Sequence, residues 1–202
     1  MKRVLLLLLV TALAGCGGDD DKGGGNAQQS ECDVQGDAQL AELEEGKTYR
    51  LLFQTNKGAF TIELDRESAP CTSASFVSLT EKGFFNGIKF HRIVPGFVIQ
   101  GGDPTGKGSG GPGYSTVDVP PDDARYTKGV VAMAKTPTEP AGTAGSQFFV
   151  VTAEDSGLPA EYAVLGKVVD GLDVVEKIGK LGGPDERPTE PVEIETVKVE
   201  TA

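Results

Sequence analysis

Phe90 to Pro104 reads FHRIVPGFVIQGGDP. It is rich in Ile, Val and Phe, and Pro95-Gly96 bends the chain in its middle, so it predicts strand on either side of the bend. Successive side chains of a strand point to opposite faces. His91 therefore points away from Arg92. His91 is the only histidine in 202 residues. With no second histidine or cysteine cluster beside it, zinc binding is not indicated. No G-x-S-x-G elbow or suitably placed free cysteine completes a nucleophilic triad. His91 reads as a structural residue, hydrogen-bonded within the fold. Beyond the bend, Phe97 and Gln100 can share a concave face with Arg92.

Further strands lie outward from this stretch. Gly129–Lys135 (GVVAMAK), Ser146–Thr152 (SQFFVVT), Tyr162–Val169 (YAVLGKVV) and Val192–Glu200 (VEIETVKVE) are short β-rich runs separated by Gly/Pro segments. Thr48–Asp65 reads as a hairpin around TNKG, with Asn56 and Gly58 suited to positive φ and with Phe60, Ile62 and Leu64 inward. Two helices interrupt the strands. The first has Ser68 as N-cap, Pro70 in its first turn, Gly83 as its stop, and one apolar side formed by Phe76, Val77, Leu79 and Phe84. The second spans Gly171–Leu181, with Val174, Val175 and Ile178 to bury. Many short strands with two helices imply a mostly antiparallel barrel or sandwich. No internal repeat is present.

The N-terminus has a different organisation. Lys2 and Arg3 precede an apolar run and then small residues ending at Cys16, which is the order of a secretory signal peptide over residues 1–15. The run is shorter than the roughly 20 apolar residues a spanning helix needs. Leu13–Cys16 (LAGC) resembles the lipobox of bacterial lipoproteins, which implies lipidation at Cys16, anchorage to a bacterial cell membrane and an extracytoplasmic site of action. The Gly/Asp-rich segment that follows cannot bury a core, so residues 16–46 read as a flexible tether and 47–202 as one folded domain. Cys32 and Cys71 remain. In an oxidising compartment they are expected to pair and pin the tether to the domain, the alternative being two free thiols. The formal net charge of −11 argues against nucleic acid and against a polybasic membrane patch.

Two candidate sites follow. Gly101–Gly113 (GGDPTGKGSGGPG) matches part of a phosphate-binding loop at Gly101, Gly106 and Lys107. Gly108 stands where Ser or Thr should hold magnesium, and no helix opens after it, so nucleotide binding is not expected. The second site is Arg92, Phe97 and Gln100 with Gln147 and Phe149, two apart on one strand face. A planar cation, two amides and aromatic rings suit an amide held in an apolar setting.

FHRIVPGFVIQGGDP, GVVAMAK, GSQFFVVT and YAVLGKVVDGLDVVEKI, in that order, resemble the cyclophilin-type peptidyl-prolyl cis–trans isomerases over about Thr48 to Glu200. The resemblance implies a closed eight-stranded antiparallel β-barrel capped by two helices, no cofactor, and isomerisation of X–Pro bonds in proline-containing polypeptides; the chain is expected to act as a monomer. It also implies roles for particular residues. Arg92 matches the catalytic arginine and Gln100 the glutamine that supports it. Phe97, Val98, Phe149 and Leu158 match the lining of the proline pocket. Ala134, Lys135, Thr136 and Gln147 match positions along the peptide groove. Gly157 stands where many eukaryotic members have tryptophan, Tyr162 where they have histidine, and Val98 replaces a common methionine. A proline-binding module without turnover and an envelope assembly factor are the competing readings.

Overall fold

A computed structural model describes residues 32–202. The expected signal peptide, Cys16 and the first part of the tether lie outside the described residues. The elements are β1 (Val34–Gln35), β2 (Tyr49–Thr55), β3 (Gly58–Leu64), α1 (Pro70–Glu81), β4 (Arg92–Val94), β5 (Val98–Gly101), β6 (Ser115–Val117), β7 (Val130–Met133), β8 (Thr143–Ala144), β9 (Phe148–Val151), β10 (Val164–Asp170), α2 (Leu172–Gly179) and β11 (Ile194–Thr201).

Eight strands form one antiparallel sheet in the order β11-β2-β3-β10-β7-β9-β5-β4, and β1, β6 and β8 form a second, small one. The large sheet curls into a half-barrel. Its concave side is filled by phenylalanine: Phe53 stacks on Phe60 at 4.9 Å, and Phe148 sits among Phe53, Phe76, Phe85 and Phe90. Each of these side chains is almost wholly removed from water, worth about 1.5–3 kcal/mol apiece before entropy is counted. Phe60, Ile62 and Leu64 point inward, as their alternation predicts.

The barrel is open where closure was expected. Between edge strands β4 and β11 there is no ladder; the segments just before them meet through the isolated Lys89–Glu193 bridge, with Gly87 N–H to Ile194 O at 2.7 Å, Ile194 N–H to Ile88 O at 2.8 Å and Phe90 N–H to Val192 O at 3.0 Å. The cause is local. Ile93, in the middle of β4, gives its N–H to Glu186 O at 2.7 Å, so a loop takes the edge a closing strand would need.

The folded chain begins before Lys47, where the sequence places its start. β1 pairs with β6, Ala41 and Leu43 pack on the core, and Ala41 N–H bonds Ala74 O at 3.2 Å. Cys32 and Cys71 form a disulfide with Cα atoms 5.4 Å apart. This segment lies across α1, so α1 is buried at every position from Cys71 to Thr80 rather than on one side. Ser78 Oγ donates to Gln39 O at 2.7 Å on that covered face.

The ends of α1 show which capping signals are local. Gly83 has φ 68, and the N–H groups of Gly83 and Phe84 bond Thr80 O and Leu79 O, a glycine-terminated helix end as expected. Ser68 is not the N-cap. That position is Ala69, and the orphan N–H groups of Cys71 and Thr72 are taken by the carboxylate of distant Asp118, at 3.4 and 2.6 Å. In the β2–β3 turn only Gly58 has positive φ. Asn56 instead ties the turn to the β11 approach, through Pro191 O and Glu193 N–H.

Candidate active site

Strand alternation builds the site on the face of the sheet opposite the phenylalanine core. Phe148 and Val150 of β9 enter the main core, while Phe149 and Val151 join a second cluster with Val98, Tyr126 and Ala132. Neighbouring strands repeat the pattern. Ile99 faces the core and Val98 the second cluster, and β7 divides Val131 and Met133 from Ala132 in the same way. Register aligns four strands: Gln100 of β5 pairs with Arg92 of β4 on one side and with Phe149 of β9 on the other, and Phe149 pairs with Ala132 of β7.

The result is a concavity of about 160 Å³ lined by Arg92, Phe97, Val98, Gln100, Ala134, Lys135, Phe149, Leu158 and Tyr162. Its floor is aromatic. Phe149 and Tyr162 meet edge to face at 5.6 Å, and Tyr126 packs beneath both. A second depression of about 530 Å³ adjoins it, lined in part by Gln100, Ala134, Lys135, Thr136, Gln147 and the glycine-rich loop. The expected residues thus fall into two adjoining hollows, with Thr136 and Gln147 in the larger and Gln100, Ala134 and Lys135 shared. Gln35 of β1 also borders the larger one.

A chain of polar contacts runs along the rim. Arg92 Nη1 donates to Gln100 Oε1 at 3.4 Å, Gln100 Nε2 to Gln147 Oε1 at 3.2 Å, and Gln147 Nε2 to Gly110 O at 2.9 Å. At the other end Arg92 Nε donates to Glu186 Oε2 at 2.7 Å. Guanidinium is a rigid planar fork, so two acceptors on different nitrogens fix its plane. The Lys135 side chain is almost fully buried. Its ammonium lies 3.2 Å from Glu161 Oε2, donates to Glu139 O, and sits 5.5 Å from the Tyr162 ring centroid.

One residue departs from its sequence reading. His91 was expected to be hydrogen-bonded, yet its Nδ1 is buried without a partner. Burial, with help from Arg92, pushes its pKa below the usual histidine value, against an opposing pull from Asp103. The glycine-rich loop does converge its N–H groups, but on a carboxylate of its own. Asp103 accepts from the N–H groups of Thr105, Lys107, Gly108 and Ser109. Burial alone would raise the pKa of Asp103. The hydrogen bonds from Thr105, Gly108 and Gly110 outweigh it and hold the value at about 2.

Three contributors escape a sequence reading. Tyr126 donates its hydroxyl to Tyr162 O at 2.7 Å and receives Tyr162 N–H at 2.9 Å, which fixes the Tyr162 segment. Glu161 holds Lys135, and Glu186 holds Arg92. Each acts across a long sequence separation, and no short pattern marks it.

Comparison with known proteins gives a consistent result. The family model described as "Cyclophilin type peptidyl-prolyl cis-trans isomerase/CLD" matches residues 50–199. A peptidyl-prolyl cis-trans isomerase of Helicobacter pylori is 38% identical over 143 residues, covering 69% of this chain and 86% of that protein. The peptidyl-prolyl cis-trans isomerase-like 1 of Aspergillus fumigatus is 36% identical over 154 residues, covering 74% and 94%. Among solved structures, a Cryptosporidium parvum cyclophilin type peptidyl-prolyl cis-trans isomerase, crystallised in the presence of the dipeptide Ala-Pro, matches with a TM-score of 0.67 at 28% identity, covering 75% of this chain and 98% of that one. This chain belongs to the cyclophilin family of peptidyl-prolyl cis–trans isomerases, and its activity is that of the family.

Proposed function

We propose that Arg92 accelerates X–Pro rotation by donating a hydrogen bond to the proline nitrogen in the twisted transition state. Resonance gives the amide bond a rotation barrier of about 18–20 kcal/mol. Twisting the bond abolishes that resonance and returns a lone pair to nitrogen. A donor aimed at the lone pair binds the twisted state more tightly than either planar state, which is the requirement for catalysis. Arginine stays protonated at all working pH values, and no proton need be transferred. Phe97, Val98, Phe149 and Leu158 hold the pyrrolidine ring while the preceding carbonyl swings. Gln100 steadies the arginine and receives the peptide. Thr136, Gln147 and Ala134 guide the residues before proline. The observation that carries this reading is the anchored fork: Nε and Nη1 of Arg92 are each bonded, while Nη2 has no hydrogen-bond partner among the described residues, at the edge of an apolar hollow. Comparing cis/trans exchange of an X–Pro peptide under the wild-type chain and Arg92→Ala tests it.

The same reading extends to location. The chain acts outside the cytoplasm on proline-containing polypeptides, assists their folding as a monomer, and is held to a bacterial membrane through lipidated Cys16. The Cys32–Cys71 disulfide supports an oxidising compartment. Cell fractionation tests this: Cys16→Ser should move the protein from the membrane to the soluble fraction. An unchanged membrane association would contradict it.

A further inference from the structure

We infer that Glu186 is a positioning residue for Arg92, and that this loop carboxylate sets the orientation in which the arginine meets the proline nitrogen. The inference rests on the arginine reading above.

Glu186 lies on neither strand nor helix. It belongs to the loop between α2 and β11, and two separate contacts tie it to β4. Its carbonyl accepts the N–H of Ile93 at 2.7 Å, and its Oε2 accepts Arg92 Nε at 2.7 Å. Backbone and side chain of one residue thus grip consecutive residues of the strand that carries the arginine.

The loop around it is built for that grip. Glu186 N–H bonds Gly183 O at 3.0 Å, and Gly183 N–H bonds Arg187 O at 2.7 Å, closing a tight turn. Glu186 sits in that turn at φ 61, the only non-glycine residue with positive φ among the described residues. This left-handed conformation is unfavourable for glutamate and persists only where surrounding contacts impose it. The loop also approaches β4 closely. A Cβ on Gly182 would stand 2.4 Å from Ile93 O and 2.6 Å from Pro95 Cδ, so only glycine permits the contact.

The choice of nitrogen matters. Glu186 takes Nε, the nitrogen bonded to the aliphatic stem, and Gln100 takes Nη1. Nη2 therefore remains for the substrate, and the plane of the guanidinium is fixed before the peptide arrives. A carboxylate on Nη2 would compete with the peptide, whereas one on Nε aims the free end. The pair is also too exposed to be a stability device, with side-chain exposures of 35% and 53%. Exposed ion pairs contribute little to stability, so loss of this one should register in rate.

The test uses three variants of the chain, with cis/trans exchange of an X–Pro peptide read by NMR as kcat and KM, together with melting temperature and the Arg92 Nε–H resonance. Asparagine tolerates the left-handed region but is too short to reach Arg92, so Glu186→Asn removes the side-chain contact and keeps the turn. Glu186→Gln keeps an acceptor at full reach. The expected result for Glu186→Asn is a fall of about tenfold in kcat, with KM within about threefold, an unchanged melting temperature, and faster exchange of the Arg92 Nε–H. Glu186→Gln should recover most of the rate. Wild-type or raised kcat in Glu186→Asn would overturn the inference, as would a Glu186→Gln variant no better than Glu186→Asn. Arg92→Ala serves as the control. If it is slow while Glu186→Asn is fast, only the Glu186 inference fails. If Arg92→Ala itself is fast, the arginine reading fails and the inference with it.

Discussion

Arg92 and Gln100 stand opposite each other in the β4–β5 register, and Arg92 Nη1 donates to Gln100 Oε1 at 3.4 Å. The pairing follows from the Pro95-Gly96 bend, which folds the strand back so that residues eight apart in sequence meet. Gln100 in turn reaches Gln147, so it steadies the arginine and also links the two hollows. Gln100→Leu should keep the fold and lower kcat/KM by about tenfold. Exchange spectroscopy with a thermal melt would show both. A variant with the wild-type rate would mean the glutamine does not steady the fork.

Phe97 and Phe149 line the same hollow but belong to different parts of the structure. Phe149 is 5% exposed and anchors the second apolar cluster, whereas Phe97 is half-buried in the turn after β4. Phe149→Ala should therefore cost about 3–5 kcal/mol of stability, and Phe97→Ala less than about 1 kcal/mol. Phe97→Ala should instead raise KM for an X–Pro peptide by about tenfold, as expected for loss of an apolar contact to the ring. Urea melts and saturation kinetics separate the two effects.

Stability should fall in acid in two stages. The pKa of His91 is lowered in the folded chain, so between its folded value and 6.5 the unfolded chain binds more protons. The neutral ring contributes fully above pH 6.5, and its contribution declines below that value until the folded pKa has been passed. Asp103 is held at about 2 against an ordinary 3.8, so its contribution is present above pH 3.8 and is lost as pH falls toward 2. Urea midpoints from pH 8 to 2 would show both stages, and His91→Asn should remove the first alone.

The disulfide closes a loop of 39 residues in sequence separation. Chain-entropy reasoning puts its contribution at up to about 4 kcal/mol. It secures β1 and the segment covering α1, and no residue of the smaller hollow lies between the two cysteines. Reduction should thus lower the melting temperature and raise hydrogen exchange in Val34–Gln35 and along α1. Turnover of a short X–Pro peptide should stay within about twofold. A large loss of turnover would place the N-terminal segment in the catalytic machinery.

What the sequence made legible was what neighbouring residues decide. Alternation in SQFFVVT separates Phe148 from Phe149, and the bend in FHRIVPGFVIQGG brings Arg92 to Gln100. The glycine end of α1 is equally local. What remained hidden depends on partners far along the chain. Asp118 caps a helix that begins before residue 71, and nothing near Ser68 announces that the cap is elsewhere. Val34, Ala41 and Leu43 are too sparse to form a period, yet pairing with β6 and contact with α1 bury them in part. Barrel closure fails because Glu186 takes the N–H of Ile93, a contact across 93 residues that no pattern encodes.

The central claim concerns Nη2 of Arg92, unpartnered among the described residues, and one measurement addresses it directly. With substoichiometric protein and an X–Pro peptide, NMR exchange gives kcat/KM for the wild-type chain and for Arg92→Ala, and a thermal melt confirms that both fold. The expected result is a fall of about 100-fold or more with the melting temperature little changed, the scale seen when a preorganised donor is removed from a transition state. An Arg92→Ala chain that isomerises at the wild-type rate would contradict it.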